Sequence, residues 1–256
     1  MAYERELNVL RTAIEKAFSE FGDANFSINQ KAPFDLVTDV DLKMEKSISA
    51  DILKEFPTDK ILGEEFSGDL LPSGRTWTID PIDGTINFAH ASKHYGVQCS
   101  LLDGEEVVVS IIYLPERDEW FTAEKGKGAY LNGKKITVSK VSEEKAIFSF
   151  GDFSRKHVDY AQKQSRAVDR LYKRILRVRM FGASSIDYAF LACGRTHGMM
   201  LVTKNLWDLA PGMLLVKEAG GVVKSICGKE FKIGDCGVVA AATEQLADIL
   251  LAAIND

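Results

Sequence analysis

The sequence predicts an α/β protein whose architecture changes near residue 145. An α+β half, residues 1–145, packs helices on a largely antiparallel sheet, and an α/β half, residues 146–256, alternates strands with helices. Two observations carry this. Two long amphipathic stretches precede a series of short apolar strands joined by turn signals, and beyond residue 145 strand and helix patterns take turns. No linker rich in Pro, Gly or Ser separates the halves, so they are expected to form one rigid body.

Residues 3 to 21 set Leu7, Leu10, Ile14 and Phe18 among charges, which reads as an amphipathic helix and not a signal peptide. A second helix starts near Thr38-Asp39, repeats Val40, Met44, Ile48, Ile52 and Phe56, and stops before Pro57. Its entry, T-D-V-D, has the capping-box form of a hydroxyl followed three residues later by an acid. Strands then follow: T-W-T-I-D from Thr76, Y-G-V-Q-C-S-L-L, E-V-V-V-S-I-I-Y-L and E-W-F-T-A. Asp103-Gly104 and Asn132-Gly133 mark hairpin turns. In the second half A-I-F-S-F, R-I-L-R-V-R-M-F, H-G-M-M-L-V, G-V-V-K-S and G-V-V-A-A-A read as strands. Helices are expected at about 156 to 172, over S-I-D-Y-A-F-L-A-C, over D-L-A-P-G-M-L-L-V-K-E-A and over the last twelve or so residues.

Across 256 residues, a net charge of −5 argues against a dedicated nucleic-acid binder. No apolar run approaches the roughly 20 residues of a membrane span, so no membrane partner is expected. The four cysteines, Cys99, Cys193, Cys227 and Cys236, form no C-x-x-C pair and fit a reducing, cytoplasmic setting.

The stretch W-T-I-D-P-I-D-G-T-I-N-F places two carboxylates, Asp80 and Asp83, around Pro81 and runs into Gly84-Thr85. Pro81, with no N–H, is read as the end of the strand. Asp83 then stands where a short helix can begin, with the amides of Gly84 and Thr85 free. Free amides favour a phosphate while the aspartates repel it; a divalent cation between them removes the conflict. Taken singly, Asp41, Asp83 and Asp208 are equally capping residues and Glu64 a loop acid. Several acids beside element ends are nonetheless what a metal-assisted phosphoryl-transfer site needs. An aspartyl-phosphate mechanism of the D-x-D-G-T type is disfavoured, because Pro81 occupies its nucleophile position.

Gly63-Glu64-Glu65, W-T-I-D-P-I-D-G-T-I-N-F, and L-W-D-L-A-P-G followed by K-E-A-G-G-V, in that order, resemble the inositol monophosphatase family over nearly the whole chain. Upstream, Asp35-Leu36-Val37-Thr38 running into Asp41 matches as well. The resemblance implies a layered α/β/α/β/α sandwich, a homodimer, and hydrolysis of a small-molecule phosphate monoester with two or three Mg²⁺ per site. It implies Glu64, Asp80, Asp83 and Asp208 as carboxylate ligands, with the Ile82 carbonyl beside them. Thr85 and Glu64 would orient the attacking water and Asp41 would hold Thr85. Gly84 and Thr85 would bind phosphate, and Gly182-Ala183-Ser184 the polyol.

Two departures bear on substrate. Seven positions before Asp208, where inositol-hydrolysing relatives carry an acid for ring hydroxyls, this chain has Leu201. Residues 155 to 179 concentrate Arg155, Lys156, Lys163, Arg166, Arg170, Lys173, Arg174, Arg177 and Arg179 against Asp159 and Asp169. That segment reads as a solvated face, or as a second anionic site for a bisphosphate such as fructose 1,6-bisphosphate or adenosine 3′,5′-bisphosphate, or for an RNA or transcription partner. The main motif's I-N-F ending favours the inositol-type branch, so a broad sugar or polyol monophosphatase ranks first. His90 and His94 are read as residues of a flanking loop, since hard Mg²⁺ does not need them.

Overall fold

In the computed structural model the described residues are 3–22, 27–32, 35–66, 74–155 and 157–255. The chain begins α1 (Glu4–Phe21), β1 (Ile28–Ala32), β2 (Asp35–Thr38), α2 (Asp39–Glu55), β3 (Lys60–Gly63), β4 (Arg75–Asp83) and α3 (Thr85–Ala89). Strands β5 (Gly96–Asp103), β6 (Glu106–Leu114), β7 (Glu119–Glu124), β8 (Gly128–Leu131) and β9 (Lys134–Ile136) form a meander. Next come β10 (Ile147–Phe150), α4 (Val158–Leu171), β11 (Arg177–Arg179), α5 (Ser184–Ala192) and β12 (Gly198–Leu201). The chain ends with α6 (Leu206–Glu218), β13 (Val222–Ser225), β14 (Val238–Ala241) and α7 (Glu244–Asn255).

Seven strands, β3 to β9, lie in sequence order, antiparallel except for the β3–β4 pair. The second sheet has the order β11-β10-β12-β14-β13, with β10 parallel to both neighbours and β14 antiparallel to both of its own. Leu10, Ile14, Met44, Ile48 and Ile52 of α1 and α2 bury against Trp77, Ile79, Val97, Cys99 and Ile111 on one face of the large sheet. Its other face packs on α5 and α6, and these in turn on the second sheet, which α4 and α7 cover. The layers are therefore α/β/α/β/α. Lying between two sheets, α5 has no exposed face: every residue from Ser184 to Ala192 is buried. That explains its continuous apolar composition in place of an amphipathic stripe.

Three elements depart from the sequence reading. The β1–β2 hairpin was not anticipated; Asp35-Leu36-Val37-Thr38 is its second strand. The segment R-I-L-R-V-R-M-F contributes only the short edge strand Arg177–Arg179. Pro81 does not end β4. Asp80 pairs with Gln98 and Asp83 with Gly96, so β4 carries one extra residue there, a β-bulge. A bulge removes residues from the ladder, which is why a proline lacking an N–H is tolerated inside a strand. It also turns both aspartates toward the same end of the sheet.

Candidate active site

The bulge leads into Gly84, whose φ of +89° is the left-handed region that glycine occupies without penalty. A β-carbon there would sit 3.0 Å from both the Ala183 β-carbon and the His94 carbonyl. This turn starts α3 and brings Thr85 back over the bulge. The Thr85 hydroxyl lies 3.0 Å from the Ile82 carbonyl and 3.3 Å from Asp41 Oδ1. Asp41 closes the capping box at the start of α2: its Oδ2 accepts from the Thr38 amide at 2.9 Å and from the Thr38 hydroxyl. One Asp41 oxygen thus closes the capping box while the other lies within reach of the Thr85 hydroxyl.

Asp80, Asp83 and Asp208 present carboxylate oxygens that all lie within 4.8 Å of one another. Asp208 is the third residue of α6, not its N-cap; Asn205 holds the cap position. Thr203 Oγ1 and Asn205 Nδ2 each donate to Asp208 Oδ2 at 3.1 Å. Pro211 falls in the second turn of α6, and its carbonyl accepts from the Ser110 hydroxyl of β6 at 2.6 Å. Asp83 is gripped hardest: the amides and hydroxyls of Ser184 and Ser185 all donate to it. It therefore caps α5 as well as facing the cluster.

Burial raises all three acids. Asp80 stands well above the usual carboxylate range through burial, then through the charges of Glu64, Asp83 and Asp208. Asp208 is pushed to about 7, by burial first and Asp83 second. Burial also lifts Asp83, against the opposing Ser184 and Ser185 hydrogen bonds. Asp80 Oδ1 is buried and takes no hydrogen bond. Among the described residues no Lys or Arg forms an ion pair with these three acids. An orphan buried oxygen in a crowd of carboxylates, with no ion pair to them among the residues whose side chains are described, fits a hard divalent cation.

Glu64 follows β3 just outside this tight group, and its charge acts on Asp80. The turn bearing it hangs on a residue the sequence reading missed. Buried Glu45 of α2 accepts from the Glu65 amide at 2.7 Å and the Phe66 amide at 3.2 Å. Gly63 packs so closely on it that a β-carbon would overlap the Glu45 carboxylate. The signal was an acid within the apolar stripe of Val40, Met44 and Ile48. Glu45→Ala is expected to leave two amides without their acceptor, costing ~1–3 kcal/mol, and to weaken divalent-cation binding by about 10–100-fold. Calorimetric Mg²⁺ titration together with thermal unfolding checks both.

Of Gly182, Ala183 and Ser184, only Gly182 is partly exposed; Ala183 and Ser184 are buried, and the Ser184 hydroxyl is engaged with Asp83 and Gln98. Asn87 of α3, also missed, donates to the carbonyls of His94, Phe181 and Gly182 at 2.7, 2.8 and 3.3 Å, stapling this loop over α3. His90 is exposed and His94 stacks on Phe181, both on the flanking loop. Leu201 ends β12 half-buried, its side chain turned against Gly151.

The basic segment is only partly free. Arg174 pairs with Glu143, Arg170 donates to the Ala253 carbonyl, and Lys163 reaches Asn255. Arg166, Arg177 and Arg179 are exposed and form no ion pair among the described residues. Lys156 lies outside the described residues.

In the first turn of α5, Asp187 is fully buried and both its carboxyl oxygens lack a hydrogen bond. Burial pushes it up to about 8, with the nearby Ser149 hydroxyl offsetting part of the rise. A pKa above the unfolded value of about 3.9 means that the folded chain holds the proton more tightly. That stabilisation is complete below pH ~4 and is lost as pH rises toward 8. Asp187→Asn is expected to match the wild type near pH 4 and to exceed it by a few kcal/mol at pH 8. Urea midpoints at saturating divalent cation provide the measurement.

The inositol monophosphatase family model matches residues 3–256. The chain is 35% identical over 206 residues to a Thermotoga maritima fructose-1,6-bisphosphatase/inositol-1-monophosphatase, covering 80% of this chain and 77% of that one. It is 38% identical over 216 residues to tomato (Solanum lycopersicum) inositol monophosphatase 1, covering 82% and 79%. To the Nus factor SuhB of Escherichia coli it is 35% identical over 202 residues, covering 78% and 75%. Among solved structures, the Thermotoga maritima IMPase superposes with a TM-score of 0.86 at 30% identity, over 99% of this chain and 96% of that one. With a family match along essentially its whole length, the chain belongs to the inositol monophosphatase family and is a phosphoric monoester hydrolase.

Proposed function

We propose that the chain is a Mg²⁺-dependent phosphatase acting on monoesters of sugars and polyols, with water as the direct nucleophile. The observation that carries this is the convergence of Asp80, Asp83 and Asp208 within 4.8 Å, with an unpartnered oxygen on Asp80. Glu64, Asp80, Asp83, Asp208 and the Ile82 carbonyl would hold two or three Mg²⁺. When bound, Mg²⁺ would supply charge neutralisation for the phosphate dianion and its leaving oxygen, and would acidify water.

The chain's own groups account for the rest. Thr85 donates its proton to Asp41 or to the Ile82 carbonyl, so its oxygen lone pairs are left to accept a proton from water. Glu64, on the turn after β3, would be the proton acceptor. The amides of Gly84 and Thr85, at the start of α3, would donate to the phosphate. Among the described residues the neighbouring hydroxyls of Ser184 and Ser185 are engaged with Asp83, which favours single displacement over a phosphoenzyme.

Leu201 offers ring hydroxyls no acceptor, so inositol 1-phosphate should hold no privileged rate. A Mg²⁺-dependent rate panel over inositol phosphates, fructose 1,6-bisphosphate, histidinol phosphate and adenosine 3′,5′-bisphosphate tests this. Comparable kcat/KM for several monoesters is expected; a preference above 100-fold for either bisphosphate would replace the reading. Relatives named fructose-1,6-bisphosphatase/inositol-1-monophosphatase make the first bisphosphate the main alternative. A homodimer belongs to the same proposal, supported by exposed Leu176 and Met180 flanking β11, and light scattering in solution tests it.

A second reading has its own support: exposed Arg166, Arg177 and Arg179, and relatives named Nus factor SuhB. On that reading the basic edge contacts RNA or a transcription partner. Arg177→Glu with Arg179→Glu should then abolish salt-sensitive RNA retention and leave hydrolysis unchanged; no retention at low salt removes the reading.

A further inference from the structure

Two cysteines meet at one point of the β13–β14 connection. Ser225 pairs with Val238 in the ladder, and the Ile226 amide donates to the Gly237 carbonyl at 3.2 Å. Cys227 and Cys236 are the next residues outward on the two chains. The ladder ends at Ser225–Val238 and Cys227 sits in the turn that follows, yet the Ile226–Gly237 hydrogen bond keeps the two chains together there, and the thiols are near enough for each to act on Tyr160; a disulfide needs Cα atoms ~4.4–6.8 Å apart. Tight turns hold both approaches. Gly228 donates to the Ser225 carbonyl at 2.8 Å and Ser225 closes on the Lys229 carbonyl at 2.8 Å, while Asp235 donates to the Lys232 carbonyl at 3.0 Å.

Both thiols are free; Cys227 is exposed and Cys236 half-buried. Tyr160 of α4 completes the cluster, raised by burial and by the two neighbouring cysteines. Burial raises Cys236 as well, and the Lys204 ammonium works against that rise, favouring its thiolate.

We propose that Cys227 and Cys236 form a reversible disulfide, a modification site that acts on the loop holding Asp208. The exposed Cys227 thiolate attacks a small-molecule disulfide such as oxidised glutathione, forming a mixed disulfide and releasing one glutathione. The Cys236 thiolate then attacks the Cys227 sulfur and releases the second. Two electrons pass to the oxidant, and the two thiol protons end on the two glutathione molecules. The consequence for the site follows from packing. Gly237 lies so close to Leu201 and Val202 that a β-carbon there would overlap the Leu201 carbonyl. Val202 leads into Thr203 and Asn205, the two donors to Asp208 Oδ2. Drawing Cys236 toward Cys227 therefore pulls on the strand that feeds this loop.

The full chain is equilibrated in glutathione buffers from reduced to oxidised and analysed by peptide mass spectrometry. Expected is a Cys227–Cys236 cross-link with loss of two hydrogens, reversed by dithiothreitol and absent from Cys227→Ser and Cys236→Ser. Cys236→Ser should instead retain a glutathione adduct on Cys227. Adducts alone, or cross-links through Cys193, would overturn the site. In fully cross-linked protein the half-saturating Mg²⁺ should rise several-fold, short of the ~10–100-fold expected when an outer hydrogen bond to a metal ligand is lost. An unchanged value overturns the coupling to Asp208. That coupling rests on the proposed role of Asp208, whereas the cross-link does not, so the two failures are distinguishable.

Discussion

Asp80→Asn should abolish turnover, by at least the ~10²–10³-fold that loss of one charge-stabilising group costs an enzyme, while making the metal-free protein more stable. The two effects share a cause. Asp80 is buried with one oxygen unpartnered, and the charges of Glu64, Asp83 and Asp208 all press on it. Without a divalent cation that repulsion works against folding, and a neutral amide of the same shape relieves it. On the proposed reading, the same carboxylate holds the cation when it is bound. Thermal unfolding in a chelator should therefore rise for the variant, and the further rise on adding Mg²⁺ should shrink. A variant that keeps near wild-type kcat, or a full Mg²⁺ shift, would remove Asp80 from the site.

Asp83→Asn is the less clean experiment, contrary to what its place in the motif suggests. Its carboxylate caps α5 through Ser184 and Ser185, so the amide would lose hydrogen bonds as well as charge. Loss of activity there would come mixed with loss of the cap, worth ~0.5–2 kcal/mol.

The second large effect is structural in origin and catalytic in outcome. Gly212 of α6 faces Tyr188 of α5 so closely that a β-carbon would overlap the ring. Gly212→Ala cannot be absorbed by the ring, which is fully buried, nor by retreat of α5, which Asp83 holds at its first turn. The expected cost is about 3 kcal/mol or more, lowering the melting temperature by roughly 6–12 °C. Because α5 and α6 carry the groups that bring Asp83 and Asp208 together, prising them apart should also raise the half-saturating Mg²⁺. Differential scanning calorimetry and Mg²⁺ titration of the rate measure the two. A variant with wild-type stability would show that the layers slide freely past one another.

Several features of the site were legible because they are local. The capping box at Thr38–Asp41, the glycine after Asp83 and the short helix beyond it depend on residues within one turn of each other, where residue type and spacing decide geometry. The helix periodicity of α2 and the Asn132-Gly133 hairpin are of the same kind. The reading of Pro81 as a strand end failed for an instructive reason. Proline forbids one hydrogen bond, and whether that ends a strand depends on the neighbouring strand's register, here a bulge against Gln98 and Gly96.

What the sequence by itself determined is the inventory: acids at element ends, a glycine-threonine turn after Asp83, and an apolar Leu201 seven positions before Asp208. Only the tertiary structure decided which acids converge. Asp208 lies 125 residues from Asp83, and α6 brings it to the bulge because it packs between two sheets beside α5. It also decided what holds them. Glu45, Asn87, Gln98, Ser185, Thr203 and Asn205 are ordinary polar residues in the chain, and each becomes a support through a hydrogen bond set by packing. A carboxylate's chemistry is written in its residue type; its pKa, its partners and its reach are properties of the surfaces that close around it.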